Sequence, residues 1–165
     1  MKTRVRTAWS KGALCMLWEL EGAGLEVDAS RPLKIEREKL YEEDCVELFL
    51  APDPAVPTRY FEVELGPLGH FFDIAVDRKK SKSDTAWSSQ PEIATKVDRD
   101  RHRVTIEVAM RSPDIVRALT SGAKLPFALY RMEGRSKRLY LAWSPTRTKK
   151  PNFHVPEAFG TLILE

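Results

Sequence analysis

Apolar side chains return at every second position in short runs along most of the chain, and turn residues break those runs roughly every eight to twelve residues. A period of two puts neighbours on opposite faces of an extended strand, so each run has one face to bury. Val5, Thr7 and Trp9 share a face opposite Arg4 and Arg6. Leu14, Met16, Trp18 and Leu20 follow, and Cys15 and Leu17 make the other face apolar too, which predicts a central strand over Ala13–Glu21. Val46–Leu50 directs Val46, Leu48 and Leu50 inward, and Tyr60–Leu65 directs Phe61, Val63 and Leu65 inward. Gly66-Pro67-Leu68-Gly69 then turns the chain into His70–Val76, where Phe72, Ile74 and Val76 are expected inward. Glu92–Asp98 pairs with Arg103–Ala109, and Leu125–Met132, Leu139–Trp143 and Thr161–Glu165 bring the total to about ten strands. One helix is expected at Ser112–Leu119, with Ser112 as cap and Pro113 in its first turn. The prediction is an all-β fold: an antiparallel two-sheet β-sandwich with one short helix near 112–119, in a single domain spanning 1–165.

A length of 165 residues suffices for a sizeable core, and 42% hydrophobic with 31% charged residues describes a globular chain. A net charge of +3 is too mild to argue for nucleic acid, and the basic clusters at Arg78–Lys82, Arg99–Arg103, Arg135–Arg138 and Arg147–Lys150 read as solvated turns. No membrane partner is expected, since no apolar run approaches bilayer length. The first residues carry charge but no apolar stretch, so no signal peptide is read; this would keep the chain as written in the cytoplasm, and its localisation is left open. Two cysteines, Cys15 and Cys45, do not make a disulfide framework. The segment Asp77–Ser89 is basic and serine-rich and is expected to be mobile apart from Trp87.

Chemistry concentrates in Leu139–Gly160, where Pro145, Pro151 and Pro156 stiffen a loop carrying Trp143, Asn152, Phe153 and His154. Aromatic planes beside short polar groups suit a ligand with apolar faces and hydroxyls, and a pre-ordered loop loses less entropy on binding it. Glu47, Glu62, Glu64, Asp73, Glu107, Tyr130 and Arg131 alternate with core positions and are expected to share one outer sheet face. Trp9 and Trp18 read as core; Trp87 and Trp143 have two readings each, ligand platform or loop anchor. No serine-nucleophile, zinc-protease or phosphate-loop motif is present, so no catalytic residue and no metal centre are expected. Adjacent acids at Glu42, Glu43 and Asp44 leave calcium as an option.

The order of motifs resembles a known family. LYEEDCVELFLAPDP at Leu40–Pro54, RYFEVELGPLGHFFD at Arg59–Asp73, and W-S-P-T, N-F-H and P-E-x-F-G between Trp143 and Gly160 are similar to carbohydrate-binding module family 9-like domains of the DOMON-like superfamily. That resemblance implies an antiparallel sandwich and non-catalytic binding of a saccharide held between two aromatic walls. It puts Trp87 and the Trp143–His154 loop at the walls, Glu47 at the glutamate of V-E-x-F and Arg131 at a strand-end arginine. The expected ligand-binding set is thus Trp87, Trp143, Glu47, Arg131, Asn152 and His154, with a carbohydrate as partner and no cofactor beyond optional calcium. Related DOMON-like domains bind haem, for which Met16, Met110 or Met132 with His70 or His102 are the axial candidates. A sandwich that serves only as a structural or interaction module is the third reading.

Overall fold

The computed structural model describes residues 2–22 and 25–165. Among the described residues, eleven strands form two antiparallel sheets. The first sheet has the order β1-β2-β8-β7, from β1 (Lys2–Ser10), β2 (Ala13–Glu21), β7 (Pro91–Asp98) and β8 (Arg103–Met110). The second runs β10-β9-β3-β4-β5-β6, from β3 (Cys45–Leu50), β4 (Arg59–Leu65), β5 (Phe71–Asp77), β6 (Lys82–Asp84), β9 (Lys124–Glu133) and β10 (Leu139–Ala142). Strand β11 (Gly160–Ile163) pairs with the first half of β9 while β10 pairs with its second half. The chain therefore leaves the edge of this sheet after β10 and rejoins it 18 residues later at β11. The helix, α1, is a single turn at Pro113–Val116, and Ser112 accepts a hydrogen bond from the amide of Asp114 as its cap.

The core between the sheets is the one the alternation predicts. Leu14, Met16, Trp18 and Leu20 of β2 and Val104, Ile106, Val108 and Met110 of β8 face Val46, Leu48, Leu50, Phe61, Val63, Leu65, Leu125 and Phe127. Strand β2 is central, flanked by β1 and β8, as its two apolar faces require.

Three expectations change. Phe72, Ile74 and Val76 do not face the inter-sheet core; Phe71 and Ala75 do, together with the fully buried Asp73. The parity of β5 is set by its register, in which Val63 lies opposite Asp73, and Asp73 Oδ2 accepts from the amide and hydroxyl of Ser89, although burial still pushes the carboxyl upward. The serine-rich segment after β5 contains strand β6, paired with β5 over Ala75–Asp77. Arg138 is not a solvated turn residue: it donates to the carbonyls of Gly134, Tyr41 and Glu43 and so ties the β9–β10 hairpin to the turn before β3.

The second sheet also has an apolar layer on its outer side. Phe49, Ala51, Tyr60, Ile74, Val76, Ala128 and Tyr130 form a buried cluster there, covered by Phe153 and Phe159 from the excursion between β10 and β11. This proline-braced loop lies over the outer face of the sheet. It encloses the carboxylates of that face, which sequence alternation alone would leave in water.

Candidate functional site

Beneath the loop, β3 and β4 present Glu47, Glu62 and Glu64 side by side, because Glu47 lies directly opposite Glu64, and Phe49 opposite Glu62. All three are buried, at 3%, 5% and 1% exposure. Burial is the main force pushing each carboxyl upward, and neighbouring carboxylates push Glu47 and Glu64 further; Glu62 rises to about 7 and Glu64 to about 9. His154 is held below its ordinary value, first by desolvation and then by Arg78. Its Nδ1 lies 2.7 Å from the Tyr60 hydroxyl and 3.8 Å from Glu62 Oε2.

Folding of this cluster takes up protons that the unfolded chain releases above about pH 4.5, so the folded state binds more protons between there and the raised values, and stability falls as pH rises through that window. His154 acts in the opposite sense near its unfolded value, as one base against three acids. In chelator-treated buffer the melting temperature of the wild type should therefore drop from pH 5 to pH 8 relative to Glu62→Gln/Glu64→Gln. Parallel profiles for the two proteins would contradict the burial argument.

A cleft of about 320 Å³ opens above these groups, lined by Tyr41, Glu47, Glu62, Met132, Tyr140, Pro151, Asn152, Phe153 and His154. Phe153 stacks on Tyr130 at 4.0 Å and accepts a hydrogen bond from its hydroxyl at its own carbonyl. Asn152 caps the turn by accepting from the amide of His154. Tyr41 sits in the turn held by Arg138, and Tyr140 on the outward face of β10.

Of the six residues expected to bind ligand, Glu47, Asn152 and His154 meet in this cleft. Trp143 and Arg131 do not; both line a second cleft of about 550 Å³ at the open edge between β1 and β9–β11. Trp143 packs edge-on against Phe127 and over Gly160, where an added Cβ would meet its ring at 2.6 Å. Arg131 lies opposite Val46 and so points to the other side of the sheet from Glu47. Trp87 is in neither cleft: it stacks on the core residue Phe61 at 4.2 Å and donates to Asp114 of α1. The expected shared face also dissolves in part, because Asp73 points inward and Glu107 belongs to the first sheet. Of the two expected walls, the Trp143–His154 loop borders the cleft through Asn152, Phe153 and His154, whereas Trp87 stands elsewhere, on Phe61.

Two of the three acids that left calcium as an option, Glu43 and Asp44, bond to the chain itself. Glu43 pairs with Arg37 and accepts from the amide of Asp28, and Asp44 accepts from the amides of Glu26 and Gly134. Among the haem candidates, Met16 and Met110 are consumed by the inter-sheet core, and a ring nitrogen of His70 meets the carbonyl of Arg31. Sequence reading missed Tyr41 and Tyr140. Tyr140 could have been found from its alternation with Leu139 and Leu141, and Tyr41 from its position just before the acidic run.

The sequence profile of carbohydrate-binding family 9 matches residues 2–164. The chain belongs to this family. A crystal structure from Bacteroides uniformis ATCC 8492, of a protein whose assignment as carbohydrate-binding is provisional, superposes with a TM-score of 0.80 at 19% identity, covering 100% of this chain and 80% of that one. At that identity the likeness establishes the fold. No curated protein matches in sequence. The family 9 profile spans both sheets, so the cleft over Glu47 and Glu62 belongs to the matched region.

Proposed function

We propose that this family 9 domain binds a saccharide, without catalysis, in the cleft above Glu47 and Glu62. The observation that carries the reading is the pairing of exposed aromatic area with ordered polar groups: Tyr41 and Tyr140, each 46% exposed, line the same cleft as Glu47, Glu62, Asn152 and His154. A sugar ring needs a flat aromatic against its C–H face and fixed oxygens and nitrogens for its hydroxyls. The cleft size suits one or two rings, so a mono- or disaccharide or the end of a glycan is the ligand. Phe153 and His154 are held by Tyr130 and Tyr60, which keeps the loop side of the cleft pre-ordered.

Titration with a panel of mono- and disaccharides, read by calorimetry, tests this. Tyr41→Ala and Tyr140→Ala should each weaken the best ligand by at least about tenfold, the equivalent of losing one stacking contact. Trp87→Phe should leave affinity unchanged. Wild-type binding of no sugar, or wild-type affinity in both tyrosine variants, would overturn the proposal.

A further inference from the structure

We propose that Cys45, Glu47 and Glu64 are the protein ligands of a zinc-class divalent metal site at the floor of the second sheet's outer face. The thiol sulfur and one oxygen from each carboxyl lie within 4.8 Å of one another, and all three residues are buried. Tetrahedral zinc with Zn–S near 2.3 Å and Zn–O near 2.0 Å separates its ligand atoms by about 3.3–3.5 Å, so small side-chain rotations close the set onto an ion.

A second observation asks for a cation here. The Oε2 atoms of Glu62 and Glu64 are buried and have no hydrogen-bond partner. Like charges directly opposite on paired strands repel, and Glu47 faces Glu64 in this way inside the protein. The nearby guanidinium of Arg138 offsets this only in part: its charge favours the ionised Glu47, but burial and the neighbouring carboxylates act more strongly, and its hydrogen bonds go to three backbone carbonyls. A divalent ion held by Cys45, Glu47 and Glu64 would give the Glu64 carboxylate a partner and cancel its repulsion with Glu47 together.

The donor set selects the metal. Calcium and magnesium take oxygen ligands, whereas one thiolate with two carboxylates suits a borderline-soft ion such as Zn²⁺. Three protein ligands leave a fourth position for water, and one of the three, Glu47, also lines the cleft. Loading displaces the thiol proton, and any proton held by the carboxyls, to solvent. The site can fill with no sugar present, so it stands apart from the saccharide reading.

The test uses reduced protein carrying Cys15→Ser, which removes the other thiol from the far sheet. Zn²⁺ is titrated against a chromophoric chelator, and Co²⁺ is added separately to look for thiolate-to-cobalt charge-transfer absorption. One Zn²⁺ per chain and the charge-transfer band are expected. Adding Cys45→Ser should abolish the band and weaken Zn²⁺ by at least about 100-fold, because even outer-shell partners of a metal site are worth 10–100-fold. Glu64→Gln should raise the melting temperature of metal-free protein yet remove the Zn²⁺-dependent rise seen in the parent. This opposite pair of signs would not arise from a structural role alone, and it survives if Cys45→Ser fails to fold. Less than one Zn²⁺ per chain, or unchanged binding in either variant, would overturn the site.

Discussion

Arg131→Ala should lower stability by about 3–5 kcal/mol in urea denaturation and leave the saccharide affinity of the folded protein unchanged. Arg131 is 3% exposed. Its guanidinium pairs with Glu133 on the same strand and donates to the carbonyls of Lys2 and Glu21 and the hydroxyl of Thr3. Truncation would strip this guanidinium from a buried carboxylate and detach β9 from the ends of β1 and β2 in one step. A residue that contacts ligand would behave the other way, with affinity lost and stability nearly kept. Affinity loss in a variant of wild-type stability would restore Arg131 to the binding set and overturn its placement between the sheets.

Phe49→Ala should cost a comparable amount, about 3–5 kcal/mol, and also weaken saccharide binding. Phe49 is the hub of the outer layer. Its ring lies 5.3 Å from Tyr60, 5.2 Å from Tyr130, 5.3 Å from His154 and 5.9 Å from Phe159. Removing it leaves a cavity beneath the loop that carries Asn152, Phe153 and His154, so the pre-ordering of the cleft is lost with the packing. Hydrogen exchange should show the amides of residues 153–159 opening more than those of β2 and β8. Uniform loss of protection across both sheets would mean that the outer layer has no separate role.

These two residues also mark where sequence reading succeeds and where it stops. The alternation of β3 puts Glu47 and Phe49 on one face and Val46 and Leu48 on the other, and the structure has them so. Alternation alone does not say which of two faces meets water. Phe49 and the carboxylates beside it are buried because a distant loop folds over them, and that loop rejoins β9 far along the chain through β11. Arg131 was grouped with Glu47 as a strand polar residue, but pairing Glu47 with Tyr130 puts the next residue of β9 on the opposite side. A shift of one residue in register exchanges the faces of a whole strand.

By itself the sequence determined the strands other than β6, the two-layer class and the short cap-and-proline helix, because period-two burial and turn chemistry are local. Only the tertiary structure decided the parity of β5, that the outer face of the second sheet is buried as well, where the indoles went and which side chains share the cleft. Trp87 was drawn to Phe61 and Asp114, Trp143 to Phe127 and Gly160, and the tyrosines took the aromatic places in the cleft. Those outcomes follow from strand register and from long-range contacts between segments far apart in the chain, and neither is written in the spacing of any one segment.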